Sequence, residues 1–145
     1  MTIDRSGTWW TGTEFADVAE YLRAYTENEY PPLEIVQSVC GCGGTAFRLV
    51  GDPGEGCAQR ACAVCGASAF IGDSEEYWAE AEPEQCICPS CGGALYEIGV
   101  GFSLRDDGDV RWITVGHRCV QCGLLASFVD WKIDYGPTDF LRRQV

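Results

Sequence analysis

The sequence predicts a small, metal-bound, mainly β protein with one α-helix at its N-terminus. Ten cysteines occur in 145 residues, and eight of them fall into four close pairs. Between these pairs, apolar and polar residues alternate over most of the longer stretches, which is the period of a strand with one buried face. The first 39 residues contain no cysteine, and they include an apolar stripe at helical spacing.

The N-terminal helix is predicted to span residues 12–26. Thr11 is its expected N-cap, and Glu14 is expected to reach back to it from the third helical position, as in a capping box. The apolar stripe consists of Phe15, Val18, Ala19, Leu22 and Tyr25. The segment Tyr30–Pro32 is expected to stop the helix. We expect the stripe to pack on the rest of the domain, and the alternative is a helix that binds a partner.

Residues 40–72 and 88–130 form an internal repeat. Cys42-Gly43-Gly44 matches Cys91-Gly92-Gly93, and the later pair at Cys62 and Cys65 matches the pair at Cys119 and Cys122. Each repeat is predicted to contain a cysteine turn, a strand, a turn, a strand, a second cysteine turn and a third strand. The gap between the cysteine turns holds 19 residues in the first repeat and 27 in the second. The second hairpin should therefore be longer by about four residues per strand.

The second repeat has the clearest strands. Apolar residues occupy every second position from 94 to 104, and residues 105–109 form an Asp-Gly turn before a returning strand at 110–115. A third strand is predicted at 124–133. Its residues Leu125, Val129, Trp131 and Ile133 are expected on one side.

Two sets of four cysteines are the candidate metal ligands, since paired thiolates on short turns suit a tetrahedral site. The second set has two regular Cys-x-x-Cys pairs, whereas the first begins with Cys40-Gly41-Cys42 and has one residue between the cysteines. Cys57 is a competitor for a place in the first set, and Cys86 could replace Cys88 in the second. The predicted ligands are Cys40, Cys42, Cys62 and Cys65 for the first site, and Cys88, Cys91, Cys119 and Cys122 for the second.

These Cys-x-x-Cys-Gly turns resemble the knuckles of zinc-ribbon proteins and, more loosely, those of rubredoxin-like proteins. The resemblance covers residues 40–133 as two ribbons, and it implies a three-stranded antiparallel sheet and one structural Zn²⁺ in each. Iron could also occupy an all-cysteine site. The expected organisation is an N-terminal helix and linker at 1–39, a first ribbon at 40–72, an acidic linker at 73–87, and a second ribbon with a C-terminal extension at 88–145. Zinc ribbons serve many functions, so the resemblance implies no particular activity.

Catalysis is not expected. Four thiolates leave no open position for water or substrate on a zinc ion, and the common nucleophile, phosphate-loop and metalloprotease motifs are absent from the sequence. Cys57 and Cys86 are expected to be small buried residues. His117 is expected to be a strand residue, with an N–H bond to a nearby sulfur, and not a ligand.

The charge favours a basic protein as partner. The formal net charge is −12, from 22 acidic and 10 basic residues, and two zinc ions with four thiolates each would bring it to about −16. The charge therefore argues against nucleic acid as a partner, and the expected function is a protein-interaction module: an adaptor, a regulator or an immunity-type inhibitor. Acidity that serves only solubility is the plain alternative. The acidic segment at 73–84, interrupted by Tyr77 and Trp78, is expected to be a solvated linker, or else a binding strip.

Three further alternatives stay open. One is a nucleic-acid-binding ribbon that uses Arg105, Arg111, Arg118 and Lys132 together with Trp112 and Trp131. The others are an accessory subunit of an enzyme and a homodimer. No run of 18 apolar residues occurs and the N-terminus lacks the pattern of a secretory signal, so we expect a cytoplasmic protein without a membrane span.

Overall fold

A computed structural model describes residues 3–25, 34–133, 141 and 144–145 of the chain. It contains one α-helix and eight strands in this part of the chain, together with 3-10 turns at Ser74–Glu76 and Trp78–Glu80. The elements are α1 (Phe15–Tyr25), β1 (Glu34–Gln37), β2 (Phe47–Asp52), β3 (Cys57–Cys62), β4 (Ser68–Phe70), β5 (Glu84–Gln85), β6 (Tyr96–Leu104), β7 (Val110–Cys119) and β8 (Leu125–Lys132). Among the described residues, no helix is long and apolar enough to cross a membrane.

The strands form one antiparallel sheet in the order β4-β3-β2-β6-β7-β8. Each repeat supplies three consecutive strands, as the sequence predicted. However, the two sets are not separate sheets, because β2 and β6 pair with each other through Phe47 and Tyr96. These two residues occupy matching positions in the repeat. The repeats are therefore related by an approximate two-fold axis that passes between them.

The short strands β1 and β5 are exchanged between the repeats. β1 ends three residues before the first cysteine of repeat one, yet it pairs with β6 of repeat two. β5 stands in the same position before repeat two, and it pairs with β2 of repeat one. The Ser38 N–H donates to the Ile98 carbonyl at 2.9 Å, and the matching Cys86 N–H donates to the Leu49 carbonyl at 2.8 Å. The exchange thus repeats on both sides of the axis.

Helix α1 begins at Phe15, later than the predicted start at residue 12. The carboxylate of Asp17 accepts hydrogen bonds from the N–H groups of Thr13 at 2.9 Å and Glu14 at 3.3 Å, so it caps the first turn from within the helix. Thr11 instead forms isolated bridges with Asp4 and Leu124. The predicted capping box at Thr11 is therefore wrong. The helix is described as far as Tyr25, and the predicted stop at residues 30–32 lies outside the described residues.

Two glycines in the sheet form the seat of α1. Gly99 of β6 and Gly116 of β7 pair directly, and both lie under the helix. A Cβ at Gly116 would lie 2.5 Å from Leu22 Cδ2, and one at Gly99 would lie 3.0 Å from Val18 Cγ1. The helix therefore covers β6 at Gly99, and most residues on both faces of this strand are buried.

A bulge changes the side on which the first residues of β8 lie. Val115 pairs with Val129, whereas Gly116 pairs with Ser127, so Phe128 is an extra residue in the strand. Leu125 consequently joins α1 in a small apolar cluster, while Val129 belongs to the main core with Trp131 and Ile133. The prediction that Leu125 shares a side with these three residues is wrong.

The sheet coils so that β8 reaches across the first repeat. The Trp131 side chain contacts the position of Gly56, and Phe128 contacts the position of Gly51 at the far end of β2. The indole N–H of Trp131 donates to Asp73 Oδ1 at 2.9 Å. The two repeats therefore share one core rather than folding around separate ones.

Candidate metal centres

Each set of four cysteines meets where the two ends of a hairpin come together. In the first tetrad, the turn before β2 carries Cys40 and Cys42, and the end of β3 and the following turn carry Cys62 and Cys65. The second tetrad has the same arrangement around β6 and β7, with Cys88, Cys91, Cys119 and Cys122. The one-residue gap in Cys40-Gly41-Cys42 does not keep the first tetrad from closing.

The sulfur atoms of each tetrad have the spacing of a tetrahedral metal site. All four lie within 4.8 Å of one another in both tetrads. The sulfur–sulfur distance is 3.5 Å for Cys40–Cys65 and for Cys91–Cys119, and it is 3.6 Å for Cys42–Cys62 and for Cys88–Cys122. A regular tetrahedron with Zn–S bonds of ~2.3 Å has sulfur atoms ~3.8 Å apart. Each tetrad could therefore hold a metal ion with little rearrangement.

The Cys-Gly-Gly motif has a separate requirement at each glycine. The glycine after the second cysteine of every turn has a positive φ, a backbone conformation that residues with a side chain rarely adopt. These glycines are Gly43, Gly66, Gly92 and Gly123. The next glycine of the motif lies against sulfur. A Cβ at Gly44 would lie 2.9 Å from Cys62 Sγ, and one at Gly93 would lie 3.2 Å from Cys91 Sγ.

Backbone N–H groups prepare the first tetrad for anionic sulfur. The N–H groups of Cys65 and then of Val64 lower the pKa of Cys62 to about 6, and Val64 N lies 3.4 Å from its sulfur. The pKa of Cys42 is raised to about 11, because an N–H bond from Gly44 that lowers it is outweighed by hydrogen bonds with the other thiols. The backbone N–H groups thus favour the thiolate at Cys62, whereas the other thiols favour the protonated form of Cys42, and a metal held by all four sulfur atoms must displace the protons that the tetrad still carries.

The second tetrad shows the same contrast in a more buried setting. Burial acts to raise the pKa of Cys88, but N–H groups of Cys91 and Ser90 lower it to about 7. Burial raises the pKa of Cys122 to about 12. Cys122 is partly buried, whereas Cys42 and Cys65 of the first tetrad are exposed. The first tetrad is thus the more accessible of the two to water and chelators.

The remaining cysteines lie outside both tetrads. Cys57 is buried at the end of β3 opposite to Cys62, so it does not compete for the first site. Cys86 Sγ lies 3.5 Å from His117 Nε2, and neither residue belongs to the second tetrad. The sulfur that lies at hydrogen-bond distance from His117 is therefore that of Cys86, and either atom can be the donor, depending on the tautomer of the imidazole. Burial lowers the pKa of His117 to about 4, so the imidazole is neutral at pH 7.

The two tetrads are placed symmetrically about the two-fold axis. Cys62, Phe47, Tyr96 and Cys119 are neighbours in four adjacent strands. Three strand spacings of about 4.8 Å put Cys62 and Cys119 about 14 Å apart. Sequence reasoning missed this relation, although the internal repeat was a signal that a two-fold arrangement was available.

Comparisons of the chain with family models, with curated proteins and with solved structures found no match.

Proposed function

We propose that each tetrad binds one structural Zn²⁺ and that the chain is a non-enzymatic protein-interaction module. The observation that supports the metal part of the proposal is the mutual approach of four sulfur atoms within 4.8 Å in each tetrad. A zinc ion that takes all four as ligands has no open position for substrate or water, so it stabilises the fold instead of supplying chemistry. Thiolate ligands of this kind also require a reducing compartment, such as the cytoplasm.

The acidic segment is the surface proposed for a basic protein partner. It is ordered, with two 3-10 turns followed by β5, and Trp78 packs edge-on against Phe70 at a centroid distance of 5.3 Å. The Glu82 N–H donates to Asp52 Oδ2 at 3.0 Å, which ties the segment to β2. Its exposed carboxylates include those of Glu75, Glu76, Glu80 and Glu82. A fixed row of carboxylates can steer a cationic surface into contact.

The metal part of the proposal is tested by elemental analysis of protein purified under reducing conditions. We expect two zinc atoms per chain and no visible iron–thiolate absorption. Cys65→Ser should lower the count at the first tetrad and Cys122→Ser at the second. A count of one in the unmodified protein, or disulfides in a reduced preparation, would contradict it.

The partner part is tested by capture of proteins from a nuclease-treated lysate with the tagged, zinc-loaded chain. A basic protein should be retained and should elute at moderate salt. The triple change Glu75→Gln, Glu76→Gln and Glu80→Gln should weaken that retention. A matched control neutralises three exposed carboxylates elsewhere, through Glu14→Gln, Asp106→Asn and Asp107→Asn. Equal retention by both variants would show that the strip is not the binding surface.

A further inference from the structure

The third strand of each repeat begins in the same way after its second cysteine turn, but its outer edge is covered only in repeat two. There the N-terminal segment lies along the edge in antiparallel orientation. Its Trp10 carbonyl accepts from the Leu125 N–H at 2.8 Å, and its Gly12 N–H donates to the Gly123 carbonyl at 2.8 Å. Residues 123–125 are buried.

The matching edge in repeat one has the same backbone geometry. The Ala67 carbonyl accepts from the Cys62 N–H at 2.9 Å, and the corresponding bond in repeat two is also 2.9 Å long. Successive residues of an antiparallel strand turn their backbone polar groups to opposite sides. The Gly66 carbonyl and the Ser68 N–H therefore point away from β3, as their counterparts do where they meet the N-terminal segment.

No described residue covers this edge in repeat one. Residues 66–68 are exposed, and within the described part of the chain neither the Gly66 carbonyl nor the Ser68 N–H has a hydrogen-bond partner. A Cβ at Gly66 would meet nothing within 4 Å, whereas one at Gly123 would lie 2.5 Å from the Gly12 carbonyl oxygen. The repeat thus shows both a filled and an open form of one docking site.

The open stretch, Gly66–Phe70, is called the β4 edge below. It lies at one end of the strand order of the sheet. Beyond it the edge is occupied, because the Gly72 N–H donates to the Gln144 carbonyl at 2.6 Å. The β4 edge contains no charged residue and no proline, which are the residues that commonly keep the edge of a sheet from pairing. It can therefore accept one more strand.

The acidic segment adjoins the β4 edge. Trp78 of this segment packs edge-on against Phe70, and the exposed Glu75 lines a groove of about 220 Å³. The Arg60 guanidinium in the same groove is engaged, since its Nε donates to the Val145 carbonyl at 2.8 Å. A strand added at the β4 edge would therefore lie close to carboxylates. The groove is lined by Arg60, Ala69, Phe70, Glu75, Gln144 and Val145.

We propose that the β4 edge takes up an extended, basic segment of a partner protein as an added antiparallel strand. This assignment rests on the interaction function proposed above, and it adds a backbone contact to the acidic surface. The incoming strand donates to the Gly66 carbonyl and accepts from the Ser68 N–H, in the register that the N-terminal segment has on repeat two. Its basic side chains meet the adjacent carboxylates. A second copy is a poorer occupant, because edge-to-edge pairing would bring two acidic segments together.

The test is an NMR titration of the isotope-labelled, zinc-loaded chain with an acetylated and amidated octapeptide in which valine alternates with lysine. The Ser68 amide signal is identified by its loss in Ser68→Pro. We expect this signal to shift in a saturable manner, and the exchange of this amide with solvent to slow in the complex.

Two variants at one position assign the binding to the β4 edge. Ser68→Pro removes the outward N–H and none of the bonds to β3, and proline is tolerated at such edge positions. It should weaken peptide binding by about 10-fold or more, through loss of one hydrogen bond and the bulk of the ring. Ser68→Ala keeps the N–H and should bind as the wild type does. Should Ser68→Pro fail to fold, slowed exchange of the Ser68 amide in the wild type still decides the question.

The triple change Glu75→Gln, Glu76→Gln and Glu80→Gln separates this proposal from that for the acidic surface. It should weaken binding of the lysine peptide but not of a peptide in which valine alternates with threonine. Weaker binding by Ser68→Pro alone would support pairing at the β4 edge and refute the acidic surface. Weaker binding by the triple variant alone would refute the β4 edge and support the acidic surface. A Ser68 signal that shifts with neither peptide, or that shifts with protein concentration alone as a second copy binds, would overturn the proposal.

Discussion

The close packing of helix α1 on the sheet predicts that substitutions at Gly116 and Leu22 have strongly coupled effects on the free energy of unfolding. A Cβ added at Gly116 would lie 2.5, 2.8 and 2.9 Å from Cδ2, Cγ and Cδ1 of Leu22. Leu22 is fully buried, so it has no solvent into which it can turn. Because Gly116 has no positive φ, the backbone itself accepts alanine. Gly116→Ala should therefore destabilise the protein by overpacking alone, by about 1–3 kcal/mol.

The double variant isolates this contact. Leu22→Ala alone should cost about 2–5 kcal/mol, because it leaves a cavity under the helix. It also removes the three atoms that the new Cβ would meet. In that background Gly116→Ala should cost nothing, or stabilise by about 0.4–1 kcal/mol through the loss of glycine flexibility in the unfolded chain. The two changes should therefore be non-additive by about 1–4 kcal/mol.

The assay is denaturant unfolding with zinc in excess, followed by circular dichroism for the wild type, both single variants and the double variant. Gly7→Ala is the control, since a Cβ there would meet only the Trp9 carbonyl oxygen, at 3.6 Å. Its effect should stay within about 0.5 kcal/mol. Additive effects of Gly116→Ala and Leu22→Ala would refute the reasoning, because they would mean that the helix does not rest on this glycine.

Three other predictions concern the metal centres and the buried histidine. Cys122→Ser should lower stability strongly in zinc but change little in excess chelator, because its effect acts through metal binding; equal losses under both conditions would point to packing. Gly44→Ala should weaken zinc binding at the first tetrad, since the Cβ would lie 2.9 Å from Cys62 Sγ. Competition for zinc with a chromogenic chelator measures this loss. The control is Gly41→Ala, whose Cβ would meet nothing within 4 Å. His117 has its pKa lowered by burial to about 4 from 6.5, so the unfolded chain takes up a proton that the folded chain does not, and stability is lost as the pH falls below about 6.5. Between pH 7.5 and 5.5 this loss amounts to about 1.3 kcal/mol of the free energy of unfolding. Over the same range, the free energy of unfolding of His117→Gln should fall by about 1.3 kcal/mol less than that of the wild type. An equal fall in the two proteins would show that the imidazole is not kept neutral.

The tetrads could be read from the sequence because their geometry is local. Cys-x-x-Cys-Gly sets the turn and the positive φ of its glycine, and a hairpin of either length brings its two ends together. The irregular Cys40-Gly41-Cys42 turn still reaches its partners, so the grouping of cysteines did not depend on the regular spacing. Cys57 was left open as a ligand because a sequence does not show which end of a hairpin a buried cysteine occupies.

The joining of the repeats could not be read in this way. The pair Phe47–Tyr96 links residues 49 positions apart, and no turn motif specifies it. The side on which Leu125 lies depends on a one-residue bulge, which reverses every side chain before it. The alternation of apolar residues in β6 places Gly99 on the side that a single buried face would leave to solvent. A glycine at such a position can face water or a closely packed helix, and the sequence does not distinguish the two.

The exchange of β1 and β5 has a consequence for how the chain can be divided. Cutting the backbone between Glu80 and Glu84 would give one piece with α1 and β1–β4 and another with β5–β8. Each piece would still hold the strand that completes the other, so they would remain associated without a covalent link. The connection between the repeats therefore acts as a tether that raises their local concentration, and the boundary between the units lies along hydrogen bonds rather than at any point in the sequence.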